Sequence, residues 1–166
     1  LRPLRRPRLD ARLLAKDLAL EKVGRAPKLA RGKVSAKIRL TGPVDALEGV
    51  AELEAQNLHV AGQRYRQATA RVGLLKDRVS VYEAKLVRHG GGQLRVWNDI
   101  FLDGRLALSA RFRGMPLSAI PGLSGLEVPV SGRVSGDLKL TGSVSDPRAG
   151  GRVSLASTKV RGAALG

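Results

Sequence analysis

Apolar residues stand at alternate positions in GKVSAKIRLTGPV (residues 32–44) and again in GRVSGDLKLTGSV (residues 132–144). In the first run Val34, Ala36, Ile38 and Leu40 alternate with Lys33, Lys37 and Arg39, and Val134, Leu138 and Leu140 take the corresponding places in the second. A period of two predicts strands with one greasy and one wet face. The Thr-Gly that closes each run predicts a turn. A recurring strand-and-turn unit predicts an elongated β scaffold.

A second echo extends the pattern. LDARLLAKDLAL (residues 9–20) matches GVAELEAQNLHV (residues 49–60), with Ala11, Leu13, Ala15, Leu18 and Leu20 against Ala51, Leu53, Ala55, Leu58 and Val60. The first of these has good helix formers, but its echo favours strands, with Leu9, Ala11 and Leu13 on one face and Leu18 and Leu20 resuming after a break. GRVSLASTKVRG (residues 151–162) reads as a third copy, with Leu155 and Val160 in the places of Leu53 and Leu58. Further strands are predicted at 50–55, 57–61, 67–75, 78–88 and 93–97, with turns at Gly90–Gly92 and Asn98-Asp99. Residues 101–113 form the longest alternating strand, with Leu106, Leu108, Ala110 and Phe112 opposed to Arg105, Ser109, Arg111 and Arg113.

Other stretches break the period. Residues 1–8 read as a ragged Arg/Pro entry and 22–32 as a basic connection. Residues 115–129 carry three prolines and read as an irregular linker, or a local cover made by Met115, Leu117, Ile120, Leu123 and Leu126. The whole of 1–166 is expected to be a single β-repeat segment of a larger protein, with related units around 9–62 and 132–166.

Composition changes the picture in two ways. Hydrophobic residues make up 43% of the chain but aromatics only 3%, beside 20 glycines, which favours a thin Leu/Val/Ala sheet over a thick core. The formal charge of +16, from 30 basic and 14 acidic residues, would draw any anion: nucleic acid, lipid headgroups, lipopolysaccharide or an acidic protein. Contact with an anionic surface is expected through Arg105, Arg111, Arg113, Arg133, Lys139 and Arg152. Nucleic acid is disfavoured, because Tyr65, Tyr82, Trp97, Phe101 and Phe112 do not interleave with a basic groove as stacking platforms do.

Chemistry-bearing constellations are sparse. The chain has no cysteine, which removes disulfides and thiol chemistry. His59 and His89 stand apart from any carboxylate cluster, and Asp99 and Asp103 in NDIFLD suit turn caps better than an acid–base pair. No serine sits in a nucleophile elbow, and the glycines at 90–92 precede no phosphate-loop lysine. No enzymatic activity, metal or cofactor is expected.

VSGRVSGDLKLTGSVSDPRAGGRVSLASTKV, LTGPVDALEGVAELEAQNLHVAG and GGGQLRVWNDIFLDGRLALSARFRGMPL resemble the carboxy-terminal part of the TamB-like proteins, the translocation and assembly module family related to AsmA. Trp97-Asn98-Asp99 stands where that family's unit often has a glycine. The resemblance implies an all-β, elongated antiparallel sheet curled into an open U-shaped trough, a β-taco, with an aliphatic concave face. It implies a periplasmic segment of an envelope protein held to the inner membrane by an anchor outside this sequence, sheltering phospholipid acyl chains or unfolded outer-membrane protein strands on the way to an Omp85-type outer-membrane partner. The lining would fall on Val34, Ile38, Leu40, Leu53, Leu106, Leu108, Phe112, Val134, Leu138, Leu140 and Leu155, residues that periodicity independently puts on one face. Three alternatives stay open: a closed sandwich or barrel core, a structural β domain that docks an Omp85-type outer-membrane partner through its sheet edge, and a polyanion-binding module.

Overall fold

The computed structural model describes residues 7–20, 30–60, 62–119, 130–160 and 163–164. They form one antiparallel meander of ten strands in which chain order and sheet order coincide. The strands are β1 (Arg8–Ala19), β2 (Ala30–Pro43), β3 (Glu48–Val60), β4 (Gln63–Leu74), β5 (Arg78–Arg88), β6 (Gln93–Phe101), β7 (Leu106–Pro116), β8 (Val130–Gly142), β9 (Pro147–Val160) and β10 (Ala163–Ala164). A 3-10 turn, Leu117–Ala119, follows β7 and packs on β8. The expected coverings at Ile120, Leu123 and Leu126, the entry at 1–6 and most of the connection at 22–32 lie outside the described residues.

The sheet is neither closed nor strongly curled, which corrects the expected U-shaped trough. Among the described strands each packs on its ladder neighbours, and β1 does not meet the far edge. Among the described residues no second sheet lies opposite, so they do not build the sandwich either. The physical reason lies in the irregularities. Alternation decides which face is apolar, but curvature comes from bulges. Register shifts at Ala15/Leu18, Arg31/Lys33, Tyr65/Gln67, Phe112/Met115 and Ser131/Arg133 all fall toward the end of the sheet that carries the Gly90–Gly92 turn. Bending is therefore local to that end, apart from the shift around Tyr82 and Glu83 in β5.

The internal repeat is larger in three dimensions than in the sequence. Every β2–β3 pair from Ala30↔Val60 to Thr41↔Glu48 recurs one hundred residues later, from Val130↔Val160 to Thr141↔Arg148, with the shift at the same place. The preceding strand repeats too. Ala11, Leu13, Ala15 and Leu18 of β1 pair with Leu40, Ile38, Ala36 and Val34, as Leu108, Ala110, Phe112 and Met115 of β7 pair with Leu140, Leu138, Gly136 and Val134. The unit is thus three strands, β1–β3 and β7–β9. Within it Ala15↔Ala36 becomes Phe112↔Gly136: one side chain grows where its partner shrinks, and a Cβ on Gly136 would stand 2.9 Å from the Phe112 ring.

Several boundaries differ from expectation. Residues 48–60 are one strand that passes through a left-handed Asn57 (φ 51°), and Asp17 (φ 49°) is its counterpart in β1, at the break seen in the sequence. Asn98-Asp99 is no reversal: β6 runs through a left-handed Asn98 (φ 84°), and the chain turns at Leu102–Gly104 instead, where Phe101 N–H donates to Arg105 O at 2.9 Å. The long strand consequently starts at Leu106.

Candidate functional site

Residues opposed across a ladder share a face, so the registers trace side-chain rows across the sheet. One row runs Leu13, Ile38, Ala51, Val72, Val81, Asn98, Leu108, Leu140, Ala149; a second runs Leu18, Val34, Ala55, Ala68, Leu86, Leu94, Phe112, Gly136, Val153. Between them lies a row of smaller groups: Ala15, Ala36, Leu53, Ala70, Ala84, Val96, Ala110, Leu138, Gly151. Nine strands therefore present one aliphatic face, whose middle row is mostly Ala and Gly, interrupted by Leu53, Val96 and Leu138. Asn98 is the polar exception. Its left-handed backbone carries the amide to Ser109, where Nδ2 donates to Oγ at 2.9 Å.

All eleven proposed lining residues stand on this face: Val34, Ile38 and Leu40 on β2, Leu53 on β3, Leu106, Leu108 and Phe112 on β7, Val134, Leu138 and Leu140 on β8, and Leu155 opposite Val134 on β9. Sequence reasoning drew none from β4, β5 or β6, which add Val72, Val79, Val81, Leu86, Leu94, Val96 and Ile100. The signal was present but interrupted, since the bulges at Tyr65/Gln67 and Val81/Ala84 each move the alternation by one step.

Burial divides the face. Two clusters occupy the Gly90–Gly92 end: Phe112, Met115, Leu117, Ala119 and Val134 with Leu94 and Leu138, and Ala55, Leu58 and Tyr65 with Val34, Val60 and Leu86. Burial raises the Tyr65 pKa above its usual value, against a lowering by the nearby Arg88 charge. Val134 alone among the described residues is essentially inaccessible. Toward both sheet edges the same face is bare at Leu9, Leu13, Leu18, Val153 and Leu155.

The opposite face is charged, and among the described residues five of its arginines meet carboxylates. Arg111 pairs with Asp137, Arg95 with Glu83 at 3.9 Å, Arg78 with Asp99 at 3.8 Å, Arg105 with Asp103 at 2.7 Å and Arg148 with Asp146 at 3.7 Å. Of the six residues expected to meet an anionic surface, Arg105 and Arg111 are thus committed to carboxylates. Arg113, Arg133, Lys139 and Arg152 have no carboxylate partner among the described residues.

The candidate acids serve the turns and the sheet surface. Asp103 accepts from the Arg105 backbone and side chain, which holds its pKa below the ordinary carboxylate value. Asp99 accepts from Ser80 Oγ. His59 accepts from Arg64 Nε at 3.1 Å, and His89 lies 3.4 Å from Asn57 Oδ1. No group of three potential metal ligands occurs among the described residues, and none of their helices is long and apolar enough to cross a membrane.

The chain matches no family model, no curated protein and no solved structure.

Proposed function

We propose that the chain is a non-enzymatic binding platform whose aliphatic face shelters phospholipid acyl chains, as a periplasmic segment of an envelope protein. The observation that carries this reading is the nine-strand aliphatic face with no second layer of described structure over it. Exposed aliphatic area of this extent is unusual for a free-standing domain and marks a surface that something covers. A chain of methylenes suits it for a physical reason. Burial of a methylene contributes about 0.8 kcal/mol when complete, and the face is aliphatic from strand to strand, with Asn98 as the polar exception in these rows, so almost no directed polar group fixes the cargo at one point. Sliding contact follows, in place of tight capture.

A second reading has its own support. The outer edge of β1 is the structural counterpart of the β7 edge that pairs with β6. An extended segment of an outer-membrane partner or of an unfolded barrel protein would find unpaired backbone groups there.

Lipid extraction with native mass spectrometry of the envelope-expressed protein separates the two. Phospholipid should co-purify with the wild type and be lost from a Leu13→Asp/Leu155→Asp variant whose melting temperature is unchanged. Lipid-free wild type would overturn the acyl-chain reading and leave the edge as the candidate contact.

A further inference from the structure

The turn between β5 and β6 collects positive charge without compensation. Gly90, Gly91 and Gly92 all have left-handed backbones (φ 79°, 98° and 94°), and the loop closes through Arg88 N–H donating to Gly92 O at 2.9 Å. Beside it is an open cavity of about 470 Å³ lined by Arg66, Arg88 and Arg113, with Val87 and Gln93 beneath. A fourth guanidinium, that of Arg133, lies so close that a Cβ on Gly91 would stand 2.8 Å from its Nη1. Glycine is needed here both for the backbone conformation and for that approach.

Neutral acceptors hold two of these arginines. Arg88 donates from Nε to Gln63 Oε1 at 2.9 Å and from Nη1 to His89 O at 3.2 Å, while Arg133 Nη1 donates to Gly114 O at 3.0 Å. Arg66 and Arg113 have no ion-pair partner among the described residues. No carboxylate lines the cavity. Elsewhere among the described residues Arg78, Arg95, Arg105, Arg111 and Arg148 each have an Asp or Glu within reach, while Arg12, Arg39, Arg71 and Arg152 have no carboxylate partner but do not converge on a glycine turn. Guanidinium groups present forked donors that match phosphate oxygens.

We propose that this cavity binds a phosphate-type anion, held by Arg66, Arg88, Arg113 and Arg133 around the glycine turn. The anion is a phosphate ester on a lipid headgroup or a soluble phosphate. This site does not depend on the acyl-chain reading, because Val87, Gln93 and Arg113 belong to the polar side of the sheet.

Titration of the ¹⁵N-labelled protein with inorganic phosphate at constant ionic strength tests it. Saturable shifts should centre on Gly90–Gly92, and Arg66→Ser/Arg113→Ser should weaken binding by about tenfold or more, a loss of about 1.4 kcal/mol. The control Arg95→Ser/Arg111→Ser removes the same charge from carboxylate-paired positions and should leave affinity within about twofold. Absent saturation, or equal loss in both variants, would overturn the site. Sedimentation with phosphatidylglycerol vesicles, competed by inorganic phosphate and lost in the first variant, would identify a headgroup. Phosphate binding without sedimentation would identify a soluble phosphate, with the site upheld. Acyl-chain co-purification is measured separately, so either proposal can fail alone.

Discussion

Val134 and Leu155 face each other across the β8–β9 ladder, on the same aliphatic face, yet Val134 is 1% exposed and Leu155 60%. Val134 lies between Met115 of β7 and Leu155, beneath the 3-10 turn that brings Leu117 and Ala119 onto β8. Leu155 stands on β9, whose only further neighbour among the described strands is the two-residue β10. The difference teaches that strand alternation assigns a residue to a face, while burial is set by neighbours on both sides and by local cover. One end of this face is a small core; its outer strands are a surface.

That contrast makes its sharpest prediction in a pair of substitutions to aspartate. Val134→Asp would place a charge where no partner or water reaches it and should cost about 3 kcal/mol or more, enough to abolish a cooperative melt at ordinary temperature. Leu155→Asp should change stability by no more than about 0.5 kcal/mol. Thermal unfolding followed by circular dichroism distinguishes them, and equal destabilisation would mean that β9 is covered as β8 is.

A smaller effect probes the second buried cluster. Because burial raises the Tyr65 pKa, the folded state resists losing that proton while the unfolded chain loses it near the usual value of 10.0. The contribution is present below pH 10.0 and disappears as pH rises through the folded value. Denaturant unfolding between pH 9 and 11 should therefore fall more steeply for the wild type than for Tyr65→Phe. Matching slopes would place Tyr65 in a wetter setting than its contacts with Ala55 and Leu58 describe.

The face was legible in the sequence because a period of two survives wherever strands are regular. Val34 to Leu40, Leu106 to Phe112 and Val134 to Leu140 needed no coordinates. Register was less legible. The Leu155–Val160 spacing imitates Leu53–Leu58, but partner pairing puts Leu155 opposite Val134 as Ala55 is opposite Val34, two positions from the sequence match. Local spacing cannot see which residue a neighbouring strand supplies. Asn98 misled for a related reason: its left-handed conformation suits a turn, yet here it is absorbed inside β6.

Curvature was not legible at all, since it depends on where bulges on different strands coincide. The basic cavity was equally hidden. Arg66 and Arg88 are far apart in the chain, and the Tyr65↔Arg88 pairing beside a bulge brings them to one turn with Arg113.

The central claim, an open single-layer sheet with one aliphatic face, is tested most directly by the distance between its edges. Arg12 and Arg148 lie on the polar face at the same level: Arg39, Val50, Gly73, Ser80, Asp99 and Ala107 are paired in turn from Arg12, Thr141 pairs with Arg148, and Ala107 and Thr141 stand level between the Leu108↔Leu140 pair and the Arg105↔Ser143 bridge. The native chain lacks cysteine, so Arg12→Cys/Arg148→Cys can be spin-labelled without background. Eight ladder spacings predict a pulsed electron paramagnetic resonance distance of about 38 Å; a distribution centred below about 20 Å would mean that the edges approach each other and would contradict the open sheet.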